Sequence, residues 1–253
     1  MAAVSNLTRN RSFRGGGGIY LRNLSDSGTG FFALGNADNF AFAINEETQN
    51  QRNFQVPGGG NIASTSTITD VTASVNSISI NPRTAGVALR ALIQTIDGAT
   101  ITGETHTAYA DMFIPFLQTP DFDETLTVTD QGAATTYVAG TDYLVRNNGI
   151  FIAADGSIAD ASTIVVNYMS KATYEVEALT EAAVEYEVFF DGFNEADNGK
   201  SVTVRCHRVA FTPTTALALI QEDFGALPFE FQVLADDTKT GQESQYFTLK
   251  MEQ

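Results

Sequence analysis

Alternation of apolar and polar character at every second residue dominates the chain and restricts it to a fold built mainly from β-strands. In "NFAFAIN", Phe40, Phe42 and Ile44 fall on one side of an extended chain, with Ala41 and Ala43 on the other. "IYLRNL" sets Ile19 and Leu21 against a polar face, and "TLTVTD" and "TTYVAGTDYLV" alternate in the same way. Successive side chains of a strand point to opposite faces, so this is the pattern of a half-buried strand. Clusters such as "SDSGTG" and "GNADN" separate the runs and mark turns. Across about 120–170, Gly and Asp turns divide short alternating runs, which predicts an inserted hairpin pair or small β subdomain.

"YEVEALTEAAVEYEVFF", residues 174–190, tests that rule, because "EALTEAAVE" favours a helix by propensity. As a helix it would scatter Val176, Leu179, Val184, Tyr186 and Val188 around most of its circumference. As two strands joined near 180–183 it keeps Glu175, Glu177, Glu185 and Glu187 on acidic faces and apolar groups opposite. Two strands are therefore expected.

One helix is expected from Asn81. Asn81 is a good N-cap and Pro82 suits the first helical position. Ala85, Leu89, Leu92, Ile93 and Ile96 then repeat with helical period, and Asp97-Gly98 supplies a stop. "TPTTALALIQEDFG" reads as a second, short helix with Thr212 as cap and Pro213 at its first position. The polar stretch 45–61, with Glu46, Glu47 and Arg52, reads as a long exposed loop. Strand "SVTVRCHRVAF" is expected to put Val202, Val204, Cys206 and Arg208 on one side, and Arg205 and His207 on the other. Residues 1–18 read as a flexible N-terminal arm, in which Arg9, Arg11 and Arg14 precede four glycines. Residues 19–253 then form a single mainly β (α+β) domain of antiparallel strands, a sandwich or barrel with one flanking helix.

Composition narrows function. With 253 residues and 43% apolar content the chain has ample material for a core. No apolar run is long enough for a membrane span, and the N-terminus lacks a secretory pattern, so neither membrane association nor export is expected. The formal charge of −16 is uneven: residues 91–200 hold eighteen acids against Arg146, Lys171 and Lys200, a net of −15. Stable nucleic-acid binding needs a cationic footprint that such a chain lacks. Cys206 is the single cysteine, so no intrachain disulfide forms, and with His106 and His207 it is too little for a zinc site of nitrogen and sulfur ligands. No G-x-S-x-G elbow occurs, and Cys206 and His207, adjacent on a strand, face opposite ways. His106, in "GETHTAY", reads as an ordinary surface or loop histidine. Carboxylates are numerous enough to flank a glycosidic bond, but the absence of Trp argues mildly against a sugar-binding cleft, since such clefts often use aromatic platforms. No catalytic group, cofactor or metal is expected, and the chain does not read as an enzyme.

The order of segments resembles a family. "GGIYLRNLSDSGTGFFALGNADNFAFAINEETQNQRNF" followed by "GGG", then "NPRTAGVALRALI", resembles the N-terminal half and flanking helix of tail tube (major tail) proteins of long-tailed bacteriophages. "TYVAGTDYLV", "GSIADASTIVVNY", "YEVFFDGFNEADNGKSVTVRCHRVAF" and "EDFGALPFEFQVLAD" resemble its second half, so the likeness spans roughly residues 17–238. The resemblance implies a virion protein, assembled in the host cytoplasm, that forms stacked hexameric rings. Inner strands of all subunits would join in a continuous β-barrel through which DNA is ejected without stable binding. It implies self-association and contacts with tape measure, tail terminator and distal tail proteins. Glu175, Glu177, Glu185 and Glu187 become candidate lumen-facing acids. Arg9, Arg11 and Arg14 become candidate inter-subunit arm residues, and Glu46, Glu47 and Arg52 a candidate inter-ring loop. A tube protein of a contractile or type VI-like injection system, a β-sandwich receptor- or carbohydrate-binding virion module, and a carboxylate-dependent hydrolase are the alternatives.

Overall fold

The computed structural model describes residues 12–26 and 28–253, so Arg9 and Arg11 lie outside the described residues. The chain is mainly β, with antiparallel sheets and one α-helix among the described residues. It divides into two compact units. The first comprises the chain up to Ile93 and again from Val176, and the second is Gln94–Glu175. The insertion expected at about 120–170 is thus larger, and 19–253 is not one unit. Strands that precede residue 120 pair with strands inside that range and extend its bounds.

The first unit opens with β1 (Gly15–Asn23), β2 (Phe32–Ala33), β3 (Ala37–Arg52), β4 (Asn61–Ser77) and helix α1 (Pro82–Leu89). The chain then leaves through β5 (Leu92–Ile96). The second unit holds β6 (Thr100–Ala108), β7 (Phe113–Pro115), β8 (Thr127–Asp130), β9 (Tyr143–Arg146), β10 (Gly149–Ile152) and β11 (Ser162–Met169). The chain returns through β12 (Thr173–Glu177), which pairs with β5 in a two-stranded ribbon. Strands β13 (Glu185–Asn194), β14 (Lys200–Phe211), β15 (Leu227–Val233) and β16 (Phe247–Met251) complete the first unit.

The main sheet runs β2-β1-β13-β14-β15-β4-β3, with β16 also on β14. Among the described residues the end strands β2 and β3 do not pair with each other, so no hydrogen-bonded barrel closes. The alternation read from sequence directs Leu21, Val75, Val188, Phe229 and Phe231 into one core. Phe211 meets Phe229 edge-on at 5.8 Å and Phe231 at 4.9 Å. Full burial of each such side chain contributes roughly 1.5–3 kcal/mol.

Gly15–Gly18 are not a joint. They are the first residues of β1, paired with Asp191–Asn194 of β13. A Cβ on Gly17 would stand 2.4 Å from the Asp191 carbonyl oxygen, so the glycines allow a close backbone approach instead of supplying flexibility. Residues 15–18 are therefore strand and not part of a flexible arm.

Helix α1 starts as predicted. Asn81 Oδ1 accepts from Thr84 N at 3.0 Å and Thr84 Oγ1 accepts from Asn81 N at 3.0 Å, a closed capping box. It ends earlier than its apolar period suggests. Arg90 adopts the left-handed conformation (φ 47°), its N–H turns back to Gly86 and Val87, and its guanidinium donates to the Phe211 carbonyl. Leu92, Ile93 and Ile96 consequently belong to strand β5. A contact with a residue 121 positions away stops the helix, and no local signal reports it.

Strand β14 carries the second departure. Tyr186 pairs with Val209 and Val188 with Cys206, so Glu187 alone opposes His207 and Arg208. This β-bulge reverses the face of the strand beyond Cys206. Val202, Cys206, Val209 and Phe211 are all buried, and Arg208 is turned out, against the expected grouping of Arg208 with Cys206. Residues 212–226 form no helix: Thr212 N bonds Glu230 O and Thr214 N bonds Ala88 O, which uses these donors outside a helical turn.

Candidate functional site

The bulge gathers charge on the outer face of the main sheet. Glu187 is 2% exposed and stands opposite Arg22 in the β1–β13 register. One of its oxygens takes the Arg22 guanidinium and the other takes Arg205. Two cations on one buried carboxylate satisfy its lone pairs, the condition under which a buried charge is tolerated. The outward-turned Arg208 grips Glu185 with two bonds of 2.6 and 2.7 Å. That bidentate pair holds the Glu185 carboxyl below the usual range. His207 sits beside them, its pKa lowered by burial and by the charges of Lys239 and Arg205.

The four candidate acids therefore do not form one row. Glu185 and Glu187 are neutralised by arginine, because the bulge and register bring three guanidiniums to them. Glu175 and Glu177 are exposed on β12, which pairs with β5 and not with β13. Arg14, expected in a flexible arm, is held: its N–H donates to Asn194 Oδ1 at 2.9 Å and its guanidinium reaches Glu195 at 3.0 Å.

Glu46, Glu47 and Arg52 lie not in a loop but on a strand. Strands β3 and β4 continue as a hairpin to Arg52 and Asn61, leaving only 53–60 as the turn. The β-branched residues of "NIASTSTITDV" favour the extended chain even where nothing packs on it. β15 pairs with β4 only over Thr72–Ser77, so the distal half has no neighbouring strand on either side among the described residues. Every residue from Ala43 to Arg52 and from Asn61 to Thr69 is exposed. Ile44, Ile62 and Ile68 are 57%, 61% and 49% exposed, and Phe54 at the tip is 86% exposed.

A buried polar cluster in the second unit escapes sequence reading. Glu104 accepts from His106 Nε2 at 2.7 Å, from Leu117 N at 3.0 Å and from the Tyr168 hydroxyl at 2.7 Å. Burial pushes its carboxyl up, but bonds from Tyr168, Leu117 and His106, with the His106 charge, outweigh burial and leave it below the ordinary range. Burial and the Glu104 bond push Tyr168 up to about 12. The alternation of "GETHTA" on β6 is the signal that puts Glu104 and His106 on one face. Their partners come from Leu117 and Tyr168, which only the fold brings near. Cys206 is buried, with its thiol pushed up to about 12, and offers no thiolate for catalysis. Among the described residues no group of His, Cys, Asp and Glu is placed to hold a metal ion, and no helix is long and apolar enough to cross a membrane.

Residues 12–250 match the model of a family described as "Protein of unknown function UCP028589". No curated protein matches the chain.

Proposed function

We propose that this chain, which belongs to the family UCP028589, is a structural subunit that assembles with copies of itself, as the tube protein of a long-tailed phage tail. The carrying observation is the distal half of the β3–β4 hairpin. It is a two-stranded ribbon with both edges open among the described residues and apolar side chains on an exposed surface. An isolated two-stranded ribbon is marginal in water, and open edges invite pairing with another chain. A ribbon of this length is consistent with stabilisation by neighbouring copies, as in a ring whose strands run on from subunit to subunit.

Charge supports the same reading. DNA binds a cationic wall by releasing its own counterions, so a conduit for DNA must not be cationic, and a chain of −16 fits that requirement. The pairing of Glu185 and Glu187 with arginine moves the burden of repulsion to acids that form no ion pair among the described residues, such as Glu46, Glu47, Glu175 and Glu177. The resemblance in segment order supplies the hexameric ring and the virion setting.

Negative-stain microscopy of the purified full chain, over rising protein concentration, tests the proposal. Rings or tubes of uniform diameter are expected. A strictly monomeric particle at every concentration would overturn it. Replacing Ile62 and Ile68 with Ser should leave the folded subunit within about 0.5 kcal/mol of the parent and abolish the assemblies.

A further inference from the structure

The stretch between Thr214 and Gly225 has no regular structure, yet it carries Leu219, Ile220 and Phe224 at 83%, 98% and 95% exposure. A soluble surface seldom leaves three neighbouring large apolar groups so open without a partner for them. Leu217, Ile220 and Phe224 are spaced three and four apart, so one helical turn would place them on a single face. So short a helix is unstable alone, because nucleation costs more than a few bonds return, and packing must stabilise it. Glu222 and Asp223 lie within the same stretch.

Beside α1 the first unit has a groove of about 370 Å³ with Phe32, Val87, Ile93 and Tyr186 among its walls. Arg83 and Arg90 also line it. Arg14, Arg22, Arg205 and Arg208 each reach a carboxylate, whereas Arg83 and Arg90 form no ion pair among the described residues. Asp26 and Glu181 line the groove without pairing to them. The Arg83 guanidinium lies 4.3 Å from the centre of the Phe32 ring, and the buried Arg90 Nε has no hydrogen-bond partner. An apolar floor with two arginines lacking counter-ions fits an apolar segment that carries carboxylates.

We infer that residues 217–224 of one copy dock in the α1 groove of a second copy, folding into a helical turn as they do so. Leu217, Ile220 and Phe224 fill the apolar floor, and Glu222 and Asp223 meet Arg83 and Arg90. The contact joins two different surfaces, so it propagates head to tail and closes into a ring or continues as a filament. The inference rests on the self-assembly reading and names a mating surface distinct from the hairpin.

Sedimentation velocity of the full chain over a concentration series tests it. The variant I220S/F224S, altered only at exposed positions, should associate at least about tenfold more weakly than the parent, as should R83E and E222R/D223R. An equal mixture of R83E and E222R/D223R should recover association to within about threefold, because the unaltered groove of E222R/D223R then meets the unaltered segment of R83E. Normal association of I220S/F224S, or a mixture no better than its components, would overturn the inference. So would protection of 217–224 from hydrogen exchange that does not depend on concentration, since that marks closure within one chain. If the parent chain forms no rings or tubes at any concentration while the charge swap still restores association, the docking stands and the tube reading fails. If rings persist in I220S/F224S, the tube reading stands and the docking fails.

Discussion

Arg22 and Glu187 face each other across the β1–β13 pairing, and the buried carboxylate of Glu187 holds Arg22 on one oxygen while Arg205 occupies the other. The carboxylate is enclosed, but the Arg22 and Arg205 side chains are 38% and 52% exposed. Solvent screening therefore limits what each arginine contributes, and loss of Glu187 removes both pairs at once. Glu187→Ala should lower stability by about 1–3 kcal/mol in urea unfolding. Arg22→Ala should cost less than that, because Arg205 still satisfies one oxygen. An equal or larger loss in Arg22→Ala would show that the two arginines do not share the load.

Gly17→Ala should cost about 1–3 kcal/mol, since the new methyl would stand 2.4 Å from Asp191 O and 2.4 Å from Gly192 Cα. Neither atom can move without opening the β1–β13 pairing. Gly30→Ala is the control, with nothing within 4 Å of its Cβ position, and should stay within about 0.5 kcal/mol. Thermal unfolding of the two variants side by side gives the comparison.

The Glu104 cluster sets an acid limit for the second unit. Its folded pKa is depressed below the usual 4.5, so the unfolded chain takes up the proton first. The stabilisation is present in full above pH 4.5 and is lost as the pH falls through the folded value. Tyr168 works in the opposite direction: its contribution is present below pH 10 and is lost as the pH rises through about 12. Glu104→Gln should flatten the acid limb of a stability–pH curve while lowering the plateau, and Tyr168→Phe should flatten the alkaline limb. An unchanged acid limb in Glu104→Gln would assign acid sensitivity to other carboxylates.

Cys206 should resist alkylation in the native chain and react at once after unfolding, because burial removes both access and thiolate. Reaction with a maleimide at neutral pH, timed with and without denaturant, measures the ratio. Fast native labelling would mean that β14 opens locally near its bulge.

The β class, most strand positions and the N-terminal cap of α1 are legible in the sequence because each depends on near neighbours. Alternation selects the strands around Phe40, Val188 and Phe229, and Asn81 with Thr84 closes a box within four residues. The end of α1 is not legible, since Leu92 and Ile93 continue the helical period by coincidence and Arg90 is stopped by Phe211. The bulge opposite Glu187 is invisible for a similar reason. An extra residue in one strand is defined only by its partner, and it decides that Arg208 meets Glu185 and not the core. The distal hairpin reads as a loop because its side chains are polar, yet backbone pairing alone extends it from Asn45 to Arg52. Candidate surfaces were legible as unusual composition, and their geometry was not.

The ribbon formed by Leu92–Ile96 and Thr173–Glu177 brings the entry and exit of the inserted unit side by side. An insertion whose two ends already lie on paired strands places little strain on its host, whatever its length. Joining Ile96 to Thr173 directly would remove no strand of the main sheet, whose eight strands all lie outside that interval. The position between them then becomes a cassette site, where a foreign domain with close termini could replace the native insert.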